Sequence, residues 1–254
     1  MVLCRCQKYN HNYYFDFSES ATCMPNRLSE LDFPGVTPSR QKRSRETTAA
    51  LLKAGAEMLR DRTLDELSIE DLCAAVDATV GSFYGRFESK EAYFNVLLGL
   101  AARDGQAMLT GMADNDRLVN AALDAMCRVL VGQIIAWMRS HEGVLRAALQ
   151  RSDRRPERWS SFKELAAATT TAATPLLLGA MGKGRRAAKA RAIGFGLQTV
   201  FGTLVNAILN DPGPLSMRDP EMTSRLSQCL LLQLQAECSE SSAQSDVKSG
   251  RVRP

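Results

Sequence analysis

Residues 68–94 read SIEDLCAAVDATVGSFYGRFESKEAYF, and the order of caps, turns and apolar positions in this stretch decides the fold. Ser68 with Asp71 three residues on has the form of a capping box, in which a side-chain oxygen satisfies an amide that the first helical turn leaves orphaned. The short helix it opens is expected to turn Ile69, Leu72, Ala75 and Val76 inward. Asp77-Ala78 makes a sharp turn, and Thr79 caps a second, very short helix from Val80 to Arg86, whose Phe83 and Phe87 lie four apart on one face. Ser89 caps a further helix that starts at Lys90, passes Leu97, Leu98 and Leu100, and reaches about Met112 before Asp114, Asn115 and Asp116 break the pattern.

Upstream, Arg40, Lys42, Arg43 and Arg45 form a basic arm ahead of a helix in which Leu51, Leu52, Gly55, Met58 and Leu59 recur at three- and four-residue spacing. A basic arm, a first helix, two short helices meeting at a tight turn and a following helix that begins with lysine make a helix-turn-helix, which can present a short helix to the DNA major groove. Over residues 45–98 the chain resembles the DNA-binding signature of TetR-type (tetracycline-repressor-like) transcriptional regulators. The resemblance is carried by the spacing of Gly81, Phe83-Tyr84, Phe87 and Lys90, preceded by Ser68-Ile69 and Asp71-Leu72. It departs where the family commonly has glycine, at Thr63 and Asp77; aspartate tolerates the left-handed conformation better than most side chains.

The resemblance implies an all-α fold, with an N-terminal three-helix helix-turn-helix DNA-binding head and a C-terminal helical ligand-binding and dimerisation domain. It implies a homodimeric repressor that binds a near-palindromic operator in double-stranded DNA and is released by a small-molecule effector. The alternative is a helical protein-interaction module of the same fold that has lost specific DNA binding.

The residue types fit that chemistry. Lys90 stands at the first position of a helix, where the macrodipole disfavours a cation by about 0.3–1 kcal/mol, a placement better understood if a phosphate docks there too. Tyr84 lies on the exposed side of a helix whose inward face is already filled, leaving its hydroxyl for a phosphate or a base edge. Thr79 and Ser82 offer small hydroxyls, Val80 an apolar group suited to a thymine methyl, and Arg86 a fork suited to phosphate or guanine. Gly81 and Gly85 weaken an isolated helix, and Gly81 suggests close approach of backbone to DNA. Arg43, Arg45, Thr47 and Thr48 are candidates for backbone contacts that position the head.

The whole chain has 254 residues, 45% hydrophobic and 24% charged, which excludes collagen-like and disordered classes and suffices for a real core. The net charge of +4 says little about partners. Seven cysteines, an odd number without repeated CxxC pairs, suit a reducing cytoplasm. No uninterrupted run approaches the roughly 18 apolar residues of a spanning helix, so no membrane partner is expected. Residues 1–38 read as a disordered leader, with Met24 a candidate start and with Cys4, Cys6, His11 and Cys23 at no common zinc spacing. The DNA-binding domain is assigned to 39–95, the effector-binding and dimerisation domain to 96–237, and a serine-rich disordered tail to 238–254.

Long helical patterns are expected at roughly 116–140, 142–151, 155–178, 185–210 and 219–237. Trp137, Met138, His141, Phe162 and Thr170 are candidate pocket residues, and Pro175 a candidate kink. By the resemblance, the last two helices pair in the dimer, with Leu197, Phe201, Leu204, Leu230 and Leu234 as the candidate interface. The basic clusters around Arg151–Arg158 and Lys183–Arg191 read as solvated loops and helix ends. An enzyme is not expected: only His11 and His141 are available for a histidine-based triad, no GxSxG elbow or complete phosphate loop occurs, and neither cofactor nor metal is implied.

Overall fold

The computed structural model describes residues 42–113, 121–150, 157–182 and 184–249. In chain order the helices are α1 (Lys42–Met58), α2 (Ile69–Ala74), α3 (Val80–Tyr84), α4 (Lys90–Ala113), α5 (Leu123–Ser140), α6 (Glu142–Gln150), α7 (Glu157–Ala180), α8 (Arg186–Asn210) and α9 (Glu221–Ser249), with no strand among the described residues. The all-α expectation holds. The leader, residues 114–120 and the arginines at 151–155 lie outside the described residues. The last helix continues past 237 to Ser249, with no glycine or proline before Gly250 to stop it.

The head folds around one apolar cluster. Leu51 and Leu52 from α1, Leu59, Leu64 and Leu67 from the segment after it, Ile69, Leu72 and Cys73 from α2, and Phe83, Phe87, Tyr93 and Phe94 are all buried together. Cys73 takes the place expected of Ala75, which is exposed: four residues after Ile69 returns to the same helix face, six does not. The rings interlock, Phe83 and Phe87 at 5.1 Å, Phe83 and Tyr93 at 5.4 Å, and Phe87 and Tyr93 edge to face at 5.0 Å. The Tyr93 hydroxyl donates to Leu51 O at 2.7 Å, and burial pushes its ionisation far upward. Gly55 is required there, because a Cβ would sit 1.8 Å from that hydroxyl oxygen.

Both departures from the expected glycines have local explanations. Asp77 adopts φ 52°, so the left-handed turn forms without glycine. Thr63 instead opens a capped turn: its N–H donates to Glu66 Oε2 at 2.8 Å and its hydroxyl to the same oxygen at 2.9 Å, while Glu66 N–H donates back to Thr63 Oγ1 at 3.3 Å. These bonds, the backbone one first, hold the Glu66 carboxyl below the usual carboxylate range.

α4 leaves the head core through Leu97 and Leu100 and enters the second core through Leu109 and Met112. That core contains α5, α7, α8 and α9, and Trp137 Nε1 ties α5 to α4 by donating to Ala101 O at 2.9 Å. α6 joins the two, since Val144, Ala147 and Ala148 belong to the head cluster and Leu145 and Leu149 to the other. Gly143 lets it approach: a Cβ would meet the backbone of Leu59 and Arg60 at 2.5–2.6 Å. Arg146 fastens the junction, its Nη1 donating to Arg60 O at 2.5 Å, its Nε to Ile208 O at 3.1 Å and its Nη2 to Glu142 Oε1.

Within the second core, Gly105 makes room for Leu165 and Gly196 for Leu230, at distances a Cβ would close to 2.3 and 2.5 Å. Pro175 is exposed inside α7. α8 is long and apolar enough to cross a membrane by length and composition, with a mean hydropathy of 1.6, although charges and polar residues break its apolar runs. Ile193, Leu197, Val200, Leu204 and Ile208 instead fill the core. Lys189 corrects the reading of its cluster as solvated: it is buried, and its Nζ donates to Met181 O at 2.9 Å and Gly182 O at 2.8 Å, satisfying carbonyls at the end of α7. Arg185, Arg186 and Arg191 are exposed.

Candidate nucleic-acid interface

α3 is a five-residue helix with two unlike sides. Thr79 caps it, with φ −92° and ψ 153°, its hydroxyl accepting from Ser82 N at 3.1 Å. Phe83 is fully buried behind it, whereas Val80 is 36% and Tyr84 53% exposed. Gly81 is exposed, and a Cβ there would meet only Thr79 Oγ1 at 4.0 Å, so packing within the chain makes no demand for glycine. Gly85 closes the helix as its C-cap. α2 meets α3 through Cys73, whose thiol approaches Thr79 O at 3.6 Å; burial raises the ionisation of that thiol.

The structure brings Thr79, Val80, Gly81, Ser82 and Tyr84 together on α3 and its cap. Lys90, at the start of α4, is half-buried, and its Nζ donates to Asp65 O at 3.3 Å. In α1, Arg43 is exposed and Arg45 half-buried. The Thr47 and Thr48 hydroxyls donate to Arg43 O at 3.1 Å and Ser44 O at 2.9 Å, so their hydrogens are committed within the helix. The expectation of an outward fork at Arg86 is corrected: its guanidinium folds back onto Ser82 and Ser44. An Arg62–Asp71 pair at 2.9 Å, which no sequence motif signals, links the segment after α1 to α2.

Of the candidate pocket residues, Trp137, His141 and Phe162 meet, Trp137 stacking on Phe162 at 6.0 Å and lying 6.0 Å from the His141 ring. Met138 is fully buried in the same core, but Thr170 stands two turns along α7 from Phe162 and spends its hydroxyl on Ala166 O at 3.0 Å. His141 Nε2 lies 3.3 Å from Asp104 Oδ2 without hydrogen-bond geometry; Asp104 was not foreseen, as only the crossing of α4 brings it near.

The five candidate dimer residues are placed elsewhere than expected. Leu197, Phe201, Leu204, Leu230 and Leu234 are buried within the single chain, Phe201 edge to face with Phe162. The wide apolar faces of the last two helices close against their own core. Their outer side carries Phe195, Thr199, Gly202 and Thr203 on α8 and Cys229 and Leu232 on α9, with Phe195 62% and Leu232 57% exposed. Among the described residues no three His, Cys, Asp or Glu side chains converge as metal ligands.

Residues 51–97 match the family model of bacterial regulatory proteins of the tetR family. Over those residues the chain is similar to the TetR family. It is 29% identical over 126 residues to the HTH-type transcriptional regulator EthR of Mycobacterium tuberculosis, a match covering 48% of this chain and 57% of EthR. The chain thus spans little more than half the length of the relatives it matches. Among solved structures, a TetR-family regulator from Streptomyces coelicolor superposes with a TM-score of 0.56 at 16% identity, covering 81% of this chain and 86% of that one. GusR of Salmonella enterica does so with a TM-score of 0.50 at 17% identity, over 75% and 96%. At these identities the structural likeness is one of fold, and it covers the helical body as well as the head.

Proposed function

We propose that this protein is a DNA-binding transcriptional regulator of the TetR family whose α3 enters the major groove. The observation that carries the reading is the division of α3: Phe83 is locked into the head core while Val80 and Tyr84 stay exposed beside the exposed, uncrowded Gly81. A solvent-exposed aromatic and valine on so short a helix are useful against a base edge, a thymine methyl or a phosphate. Lys90, Arg43 and Arg45 then supply positive charge around it, with residues 39–95 as the DNA-binding domain and 96–237 as the effector-binding and dimerisation domain.

In this reading the protein acts by binding and not by turnover, as a cytoplasmic homodimeric repressor that a small-molecule effector releases from a near-palindromic operator. The dimer uses the outer faces of α8 and α9, where Phe195 and Leu232 are exposed, in place of the buried leucines. The effector site lies at the Trp137, Phe162 and Phe201 rings, between α5, α7 and α8. The test is selection of the protein against a random duplex library at moderate salt, beside Tyr84→Ala and Lys90→Ala. An enriched palindrome that both variants lose is expected; no enrichment, or binding indifferent to both, overturns the reading in favour of an interaction module.

A further inference from the structure

Arg86 lies just beyond the reading helix, where a cation is well placed to reach for DNA, yet its guanidinium is turned into the protein. Nη1 donates to Ser82 O at 2.5 Å and to Ser82 Oγ at 2.7 Å, and Nε is directed at Ser44 O at 3.5 Å, an oxygen that also accepts from Thr48 Oγ1 at 2.9 Å. Among the described residues these three oxygens are its partners, and none is a carboxylate.

The backbone explains the arrangement. α3 ends at Tyr84; Gly85 N–H donates to Gly81 O, while Arg86 N–H and Phe87 N–H both donate to Phe83 O, so the Ser82 carbonyl is passed over by the backbone amides after the helix. A five-residue helix with glycine inside it and at its C-cap is marginal alone, and an orphaned terminal carbonyl weakens it further. The Arg86 side chain satisfies that carbonyl and reaches across to the start of α1. The second consequence concerns Ser82. A hydroxyl that accepts from a guanidinium keeps its own hydrogen to give, and the adjacent positive charge discourages a second donor.

We infer that Arg86 is a positioning residue that does not touch DNA: it pins α3 to α1 and holds the Ser82 hydroxyl as an outward donor toward a DNA acceptor, a phosphate oxygen or a purine N7 or O6. The inference rests on the DNA-binding reading above. It divides the expected labour of the two residues differently from a direct Arg86 fork, because Arg86 then adds nothing to the count of phosphates neutralised.

The experiment measures binding of the full chain to its enriched duplex over a range of salt concentrations, for wild type, Arg86→Met, Arg86→Lys, Ser82→Ala and the Arg86→Met/Ser82→Ala double variant. Ser82→Ala is expected to weaken binding about fivefold, the cost of one hydrogen bond. Arg86→Met is expected to weaken it at least as much, the double variant no more than Arg86→Met alone, and Arg86→Lys, which keeps a donor for Ser82, to retain most of the affinity. The slope of log K against log salt should equal that of wild type in Arg86→Met. A slope shallower by roughly one per half-site would show a direct phosphate contact and overturn the inference, as would effects of the two single variants that multiply. Loss of preference at one base position in Ser82→Ala supports a base acceptor and uniform weakening a phosphate; both agree with an outward donor.

Amide exchange in the free protein provides a readout that needs no DNA. Arg86→Met should speed exchange over residues 80–87 and Ser82→Ala should not; unchanged exchange in Arg86→Met overturns the pinning role. A wild-type protein that enriches no duplex removes the DNA-binding reading and this inference with it, whereas a changed salt slope removes only the inference.

Discussion

In the head, Phe83, Phe87 and Tyr93 lock α3 to the start of α4, and α2, α3 and α4 each begin at a capping side chain, Ser68, Thr79 and Ser89, with the left-handed Asp77 between the first two helices. In the body, helices of 18 to 29 residues are held by long aliphatic and methionine-bearing faces, and their ends carry fewer such signals; Ala122 and Arg185 start α5 and α8 without a side-chain cap. Short helices cannot persist without local stops and starts, so the head writes its geometry into consecutive residues. Long helices are stabilised by packing, so the body writes only the existence of each helix and leaves the choice of partner to the fold.

Phe83→Ala should have the largest effect, about 3–5 kcal/mol of stability, measured by urea unfolding. Amide exchange should accelerate through α1 to α3 well before α8; equal acceleration in both would break the distinction between two cores. Gly143→Ala probes their junction. Its Cβ has only the Leu59 and Arg60 backbone to push against, so a loss of roughly 1–3 kcal/mol is expected, with faster exchange in α1 and α6 together.

Lys189→Met tests the body's own capping device. Leaving Met181 O and Gly182 O without their donor should cost about 1–3 kcal/mol, read as a lower urea midpoint, whereas an unchanged midpoint would mean those carbonyls find other donors. In the head, replacement by the commoner family residue should act in opposite directions at two sites. Asp77→Gly relieves a positive φ and should stabilise by up to about 1 kcal/mol, while Thr63→Gly removes a reciprocal cap and should destabilise by about 0.5–1 kcal/mol.

A last effect is confined to alkaline pH. Burial pushes the Cys127 thiol up to about 11, above its ordinary value of 9.0. The folded chain therefore keeps a proton that the unfolded chain releases first, and this contribution is full below pH 9 and lost as pH rises through about 11. Mapped alkylation at neutral pH should label exposed Cys229 quickly and Cys127 and Cys73 only on unfolding; rapid labelling of Cys127 would show that the body core opens readily.

The caps and the inward and outward sides of α3 were largely legible because their signals are local. Caps at Ser68 and Thr79, the inward phenylalanines and the exposed Tyr84 follow from helical spacing alone. The inward turn of Arg86 was not legible because its partners include Ser44, 42 residues away on α1, and a side chain's direction is not part of a spacing pattern. The enclosure of the dimer candidates within one chain was hidden for a related reason: an apolar face on α8 or α9 looks the same whether its own core or a second chain covers it. Asp104 beside His141 and the Arg146 junction have no sequence signature, since each exists only where separate helices cross.

By itself the sequence determined an all-helical chain, the caps and turn of its helix-turn-helix, the inward and outward sides of α3, and the existence of the long helices, because these depend on neighbours within a few residues. Only the tertiary structure decided that Arg86 folds inward, that Lys189 is buried, that α6 closes the head core, and that Phe195 and Leu232 are left outside while Leu197 and Leu230 are enclosed. These outcomes depend on which carbonyl or apolar surface a distant segment brings within reach, and a side chain's period along its own helix carries no record of that.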